Sequence, residues 1–255
     1  MIARVRENAL TGAALNWLLG FRGTFGSLAE AADCVARYVP IDHANAHEHA
    51  LQVAKADATR ESDYPMLFFL GPVARELRTV FDFGGGIGNL FYVLDRYLRF
   101  ADELVWIIHD LPMNKEPALA FAKVKKEIRV AFTDEFSTAS GTDLFIVVGA
   151  LHYFEPTLSD LMRTLNKLPK HVIINRTPFS HGDDIVTVQD YGDSVFPCKL
   201  HSVTKLVSGM QDLGYELIAS WPVHERKLNI PLCPEYIEPY FGFYFRLYGD
   251  RFAEA

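Results

Sequence analysis

The sequence predicts an α/β protein: a doubly wound, mostly parallel seven-stranded sheet with a C-terminal antiparallel strand pair and an N-terminal helical cap. Three observations predict it. From Thr79 onward, short apolar and β-branched runs alternate with amphipathic stretches, as buried parallel strands joined by helical crossovers require. The first run stops at glycines that open a helix, in Asp82-Phe83-Gly84-Gly85-Gly86-Ile87-Gly88-Asn89. The last two runs are joined by a loop holding Pro231, Pro234 and Pro239; parallel neighbours need a crossover, usually helical, so this pair is expected to be antiparallel.

Residues 1–78 read as the cap and residues 79–255 as the main domain. In the cap, Ser27 and Glu30 are spaced as a capping box. Leu28, Ala31, Ala32, Val35 and Ala36 then fall on one helical face. A second helix is expected from about His43 to Thr59, ended by the polar Arg60-Glu61-Ser62-Asp63. Pro65 opens a third, through Leu67, Phe68, Leu70, Val73 and Leu77. No strand pattern is read before Thr79. Trp17, Phe21, Phe25 and Tyr38 suit either a lid over a substrate or a homodimer interface.

In the main domain, strands are expected at Thr79–Phe83, Leu104–His109, Ile128–Phe132, Leu144–Val148 and His171–Asn175. Helices fill Asn89–Leu98, Pro112–Val124 and Glu155–Leu168. A further helix from Ser202 to Leu213 ends at Gly214, a residue suited to a left-handed C-terminal turn. Tyr215–Val223 and Tyr240–Tyr248 are the closing strands.

The chain has 255 residues, 49% hydrophobic and 22% charged, which suffices for a full core. A net charge of −7 without a long basic block argues against nucleic-acid partners, which need clustered Lys and Arg. Cys34, Cys198 and Cys233 are odd in number and form no C-x-x-C, which fits a reducing compartment. No apolar run reaches membrane-spanning length. The expectation is a soluble, cytoplasmic protein with no membrane partner.

Asp82 and the loop glycines carry the chemistry. Glycines let a ligand approach backbone where a Cβ would collide, and the following helix offers unpaired N–H groups. The dinucleotide pattern G-x-G-x-x-G is not met, because Asn89 stands at its third position. Instead Asp82, Gly84, Gly86 and Gly88 spell D-x-G-x-G-x-G. An acidic residue here suits a cationic ligand better than a pyrophosphate. Asp110, in Ile107-Ile108-His109-Asp110-Leu111-Pro112, ends the second strand, where a carboxylate can accept ribose hydroxyls.

These segments resemble the class I S-adenosylmethionine-dependent methyltransferases, whose glycine loop wraps the methionine part of the cofactor. Asp110-Leu111-Pro112 is similar to the small-molecule O-methyltransferases, where this aspartate binds ribose. Asp134-Glu135-Phe136 matches their adenine-binding segment. The resemblance runs from about Thr79 to the end and implies a Rossmann-like domain with S-adenosyl-L-methionine as cofactor. Within that class the chain looks most like a group of bacterial methyltransferases associated with surface-polysaccharide genes. Asp82-Phe83-Gly84-Gly85, Arg176-Thr177-Pro178-Phe179, Phe196-Pro197-Cys198 and Trp17…Gly20-x-x-Gly23…Glu30-Ala31 carry that likeness. His109-Asp110-Leu111-Pro112 departs from the acidic residue plus glutamine expected there.

Cofactor contacts are therefore expected from Asp82, Gly84, Gly85, Gly86, Gly88, Asp110, Leu111, Asp134, Glu135, Phe136 and Gly149. His152 lines up with the base histidine of the plant-type O-methyltransferases; its near-neutral titration suits proton removal from a hydroxyl, and a packing role is the alternative. Substrate contacts are expected from Tyr153, Arg176, His181, Tyr191 and His201. Arg176 either clamps a carboxylate or phosphate or forms a structural salt bridge. His181, Asp183 and Asp184 share a polar loop, but a metal needs a further ligand, so no metal is expected. The expected activity is methyl transfer to a hydroxyl or amine of a small molecule, such as a sugar or other metabolite. A non-catalytic cofactor-binding module, an aminopropyl transferase and a nicotinamide-dependent oxidoreductase are the rivals.

Overall fold

The computed structural model describes residues 20–36, 56, 58–190, 195–228, 230, 233, 236–237 and 239–248. Trp17, Tyr38, Tyr191 and nearly all of the expected His43–Thr59 helix lie outside these residues. In chain order the elements are β1 (Gly20–Phe25), α1 (Leu28–Ala36), α2 (Asp63–Leu70), β2 (Thr79–Phe83), α3 (Asn89–Leu98), β3 (Val105–His109) and α4 (Lys115–Lys125). Then follow β4 (Val130–Thr133), β5 (Leu144–Val148), α5 (Leu158–Arg163), β6 (His171–Thr177), β7 (Phe179–Ser180), β8 (Ile185–Asp190) and β9 (Val195–Ser202). The chain closes with α6 (Val203–Asp212), β10 (Tyr215–Lys227) and β11 (Pro239–Leu247).

The large sheet has seven strands in the order β10-β11-β6-β5-β2-β3-β4. β2 runs parallel to β3 and β5, β3 to β4 and β5 to β6. β11 is antiparallel to both its neighbours. Alternation along the strands feeds two cores. Val80, Trp106, Ile108, Ile146 and Ile173 face Leu90, Phe91 and Leu94 of α3. Phe81, Phe83, Phe145, Val147, Val172 and Ile174 face Leu158, Met162, Leu206 and Met210 of α5 and α6. Each such side chain contributes roughly 1.5–3 kcal/mol when fully buried. Gly209 lets α6 approach α5: a Cβ there would lie 2.5 Å from Ser159 Oγ. Among the described residues no helix is long and apolar enough to cross a membrane.

The reading that no strand precedes Thr79 is overturned. Gly20–Phe25 is a strand, and it pairs antiparallel with β8, from Gly20 opposite Asp190 to Phe25 opposite Val186. The register shifts between Arg22 and Phe25, where Gly23 takes a φ of 69°, a conformation open to glycine at a bulge. This strand belongs to a second, four-stranded sheet, β1-β8-β9-β7, which crosses the expected 78/79 boundary. The residues after β6, read as a polar loop and an approach to the next helix, supply its other three strands. α1 closes one face of this sheet, with Ala31 and Val35 against Val186, Val188 and Val195. The expected cap is present: Ser27 Oγ accepts from Glu30 N–H at 3.1 Å, while the Glu30 carboxylate reaches past Ser27 to Gly26 N–H at 2.8 Å. Two expected helices are shorter than their patterns. α2 stops at Leu70, and α5 starts after Thr157, whose hydroxyl accepts from Asp160 N–H at 3.2 Å.

Candidate active site

The strand order reverses beside β2, and doubly wound sheets form a crevice there, at the C-terminal strand ends. Phe83, His109 and Val147 lie in register at these ends. A cavity of about 430 Å³ opens over them, a size within the usual range for small-molecule sites.

One end of the cavity is the glycine turn. Gly84, Gly86 and Gly88 have φ of 69°, 59° and 79°, which L side chains avoid. Gly84 and Gly85 N–H both donate to His109 O, at 2.8 and 3.3 Å. Asp110 fixes the turn: one carboxylate oxygen accepts from Gly86 N–H at 2.7 Å, the other from Leu111 N–H and Asn114 Nδ2, both at 2.7 Å. Asp82, Gly84, Gly85, Gly86, Asp110, Leu111 and Gly149 all line the cavity, as do Asn89 and Asn114. Gly88 does not; it is packed against Ile108, which a Cβ would meet at 2.4 Å.

Asp82 lies 1% exposed on the cavity floor. Trp106 Nε1 donates to its Oδ2 at 3.0 Å. Burial, aided by the nearby Asp110 charge and opposed by that hydrogen bond, pushes its carboxyl up to about 7. A carboxylate held so poorly compensated is matched to a cation.

Asp134 and Glu135 stand exposed after β4, outside the cavity wall. Phe136 turns inward instead, edge-on to Phe83 with ring centroids 5.5 Å apart. It packs beneath the strand ends and is not part of the cavity wall.

The middle of the cavity holds His152, Tyr153 and Tyr240. His152 sits in the tight turn Leu151–Tyr153, is 2% exposed, and has a buried Nδ1 without a hydrogen-bond partner among the described residues. Burial, then His201 and Arg226, hold its imidazole down at about 3, so it is neutral at physiological pH. Tyr153 donates to Gln189 Oε1, and Gln189 Nε2 donates to Tyr240, both at 3.1 Å. Gln189, on β8, thus ties the second sheet to two cavity tyrosines.

The other end is basic: Arg60, Arg176 and Arg226 line it. Arg176, next to last in β6, has a φ of 51°, a left-handed conformation that costs a non-glycine residue about 1–2 kcal/mol. A network holds it there. Its guanidinium pairs with Asp63 and, at 3.3 Å, with Glu225, and donates to Ser62 Oγ at 2.8 Å. Asn175 adds a bond from its Nδ2 to Ser62 O at 2.8 Å, and its Oδ1 accepts from Trp221 Nε1 at 3.1 Å. Arg176 thus stands in a salt-bridge network and also lines the cavity.

Two substrate expectations are not met at the cavity. His201 lies beneath it, bonded through Nε2 to Leu151 O at 3.3 Å, so it supports the His152 turn. His181 is exposed in the β7–β8 turn, away from the wall. Tyr191 is outside the described residues. Sequence reasoning missed Arg60, Arg226 and Tyr240 because strand and turn ends far apart in the chain bring them together; Gln189 left only a polar interruption in an apolar run.

No family model and no curated protein sequence matches the chain. Solved structures do. One is an S-adenosylmethionine-dependent methyltransferase from Clostridium acetobutylicum ATCC 824, at 12% identity over 80% of this chain and 100% of that one, TM-score 0.50. Another is the N-terminal domain of EvdMO1 in the presence of SAH and D-fucose, at 10% identity over 81% and 99%, TM-score 0.51. A third is the Burkholderia thailandensis 1,6-didemethyltoxoflavin-N1-methyltransferase with bound 1,6-didemethyltoxoflavin and S-adenosylhomocysteine, at 19% identity over 82% and 93%, TM-score 0.50. At these identities the likeness is one of fold. The chain has the Rossmann-like α/β fold of the S-adenosylmethionine-dependent methyltransferases.

Proposed function

We propose that this protein binds S-adenosyl-L-methionine and transfers its methyl group to a hydroxyl or amine of a small molecule. The observation that carries the reading is the cavity: a glycine-lined, acidic end over the strand switch point, opposite a basic end, with a buried neutral histidine between them. The residues fit the cofactor. Gly84–Gly86 offer a wall without side chains, Asp82 an undercompensated carboxylate for a cation, and Asp110 a carboxylate for ribose hydroxyls. When bound, the cofactor supplies a methyl carbon made electrophilic by a sulfonium.

The chain's own part is orientation, which alone can account for most of the acceleration of a two-reactant step. His152, which lines the cavity, would hydrogen-bond the acceptor. A base with a pKa of about 3 is too weak to ionise an alcohol outright, so its contribution is alignment of the attacking lone pair. Proton loss then accompanies attack rather than preceding it, and the proton passes to solvent water. A sugar belongs to the class of acceptors, in keeping with the resemblance to the surface-polysaccharide-associated group. We place the reaction in the cytoplasm.

Thermal unfolding with S-adenosylmethionine, S-adenosylhomocysteine, NAD and NADP tests the reading. A ligand at 100 times its Kd stabilises by about 2.7 kcal/mol, which raises Tm by roughly 5–10 °C at this size. The two adenosyl sulfur compounds should shift the midpoint and the nicotinamides should not. Asp110→Ala should abolish the shift. A shift with a nicotinamide nucleotide alone overturns the proposal.

A further inference from the structure

We propose that Arg60 and Arg226 form an anion-binding site at the basic end of the cavity, and that the acceptor carries a carboxylate or phosphate seated there. This rests on the methyl-transfer reading and names the substrate class of that same cavity.

The argument starts from charge pairing. Arg60, Arg176 and Arg226 line the same end of the cavity. Arg176 is consumed by Asp63, Glu225 and Ser62. The guanidiniums of Arg60 and Arg226 have no hydrogen bond or ion pair among the described residues, and both residues are half-buried. Three guanidiniums therefore face two carboxylates. Arg60 feels the imbalance: burial, then Arg176 and Arg226, lower its pKa against the opposing pull of Asp63 and Glu225. Like charges held together in a partly desolvated wall are costly, and an anion between them removes that cost.

Position adds the second part. The backbone of Arg60 is fixed by Asp63, whose Oδ2 accepts its N–H at 2.7 Å. That carboxylate belongs to the network around Arg176, so the arginine is carried on an ordered segment and not on a mobile surface chain. Arg226 lies at the C-terminal end of β10, and its charge is felt by His152. The anion site and the buried imidazole are thus neighbours. A guanidinium offers a planar fork of donors that matches carboxylate and phosphate oxygens bidentately. An acceptor gripped at its anionic group would present its heteroatom to His152. The opposite end, with Asp82 and Asp110, repels the same anion and so sets the direction in which the acceptor lies.

A carboxylate could also come from the cofactor itself, and the test separates the two sources. Inorganic phosphate and benzoate are titrated, at constant ionic strength, into protein saturated with S-adenosylhomocysteine, and Tm is read for wild type, Arg60→Gln, Arg226→Gln and the double variant. S-adenosylhomocysteine affinity is measured calorimetrically for each. The expected result is an anion-dependent rise in Tm for the saturated wild type, loss of that rise in the double variant, and cofactor-product affinity within about twofold. No rise in wild type, or a rise that persists in the double variant, overturns the site. A tenfold or greater loss of S-adenosylhomocysteine affinity in the variants overturns it too, by assigning the arginines to the cofactor's carboxylate. If S-adenosylhomocysteine fails to bind wild type, the methyl-transfer reading falls. The phosphate and benzoate titrations without it then decide the anion site alone, by the same dependence on Arg60 and Arg226.

Discussion

Replacing Asp82 with asparagine should make the ligand-free protein more stable, and the gain should depend on pH. The side chain is buried, and its carboxyl is pushed up to about 7 from an ordinary value near 3.8. For an acid raised by folding, the sign runs against the usual case. Below about pH 4 both folded and unfolded states hold the proton, and the group is neutral to stability. As pH rises from about 4 to 7 the unfolded chain ionises and the folded one resists, so stability falls. Above about 7 the loss levels off. The gap is worth about 4 kcal/mol at pH 8 and about 1.5 kcal/mol at pH 5. Asparagine keeps an oxygen for Trp106 Nε1 and carries no charge, so it escapes both losses. At roughly 2–4 °C per kcal/mol, Asp82→Asn should melt about 10 °C higher than wild type at pH 8 and only about 4 °C higher at pH 5. Differential scanning calorimetry across pH 4–9 measures this directly. The same variant should bind S-adenosylmethionine more weakly, and wild-type affinity should rise as pH passes through 7. A variant no more stable than wild type at pH 8, or a difference flat with pH, refutes the claim that an uncompensated charge sits on the cavity floor.

Three further outcomes are expected. Gly88→Ala combines a φ of 79° with a Cβ 2.4 Å from Ile108 and should cost at least about 1–3 kcal/mol in urea unfolding, whereas Gly182→Ala, in open space, should be near neutral. Arg176→Met leaves Asp63 buried without its partner and should cost about 3–5 kcal/mol, seen as a lowered unfolding midpoint; an unchanged midpoint would show the network to be ornamental. His152→Ala should lower kcat by about 10²-fold with a hydroxyl acceptor, the scale of a lost alignment, while S-adenosylhomocysteine affinity stays put, and near-normal turnover would remove the histidine from the reaction.

The parts of the molecule that were legible in the sequence are those whose cause is local. Thr79–Phe83, Leu144–Val148 and Asn89–Leu98 fall where their patterns place them, because period-two and period-3.6 burial leave a direct trace. The glycine turn and Asp110 were legible for the same reason: backbone conformation and the carboxylate that fixes it lie within one βαβ unit. β1 was not. Two glycines in its six residues give it little strand propensity, and it is a strand because β8 lends it a ladder. Pro197 hid β9, since proline argues against a strand interior, yet here it sits opposite Val188. The same holds for chemistry. Nothing near Arg60 in the sequence shows that Arg226 will stand beside it, and only the network around Arg176 tells which arginine is spent.

The pairing of Gly20 with Asp190 also has a consequence in time. A chain made from its N-terminus completes the β2-α3-β3 unit, with the glycine turn and Asp110, while the partners of β1 are still unmade. Closing so long a loop slows folding, and until it closes β1 is an unpaired edge, open to wrong partners. The basic end of the cavity needs Arg226 of β10, and its middle needs Tyr240 of β11, braced by Gln189 of β8, so both mature after the glycine turn. A shortened or stalled chain would hold the turn and lack the wall opposite it.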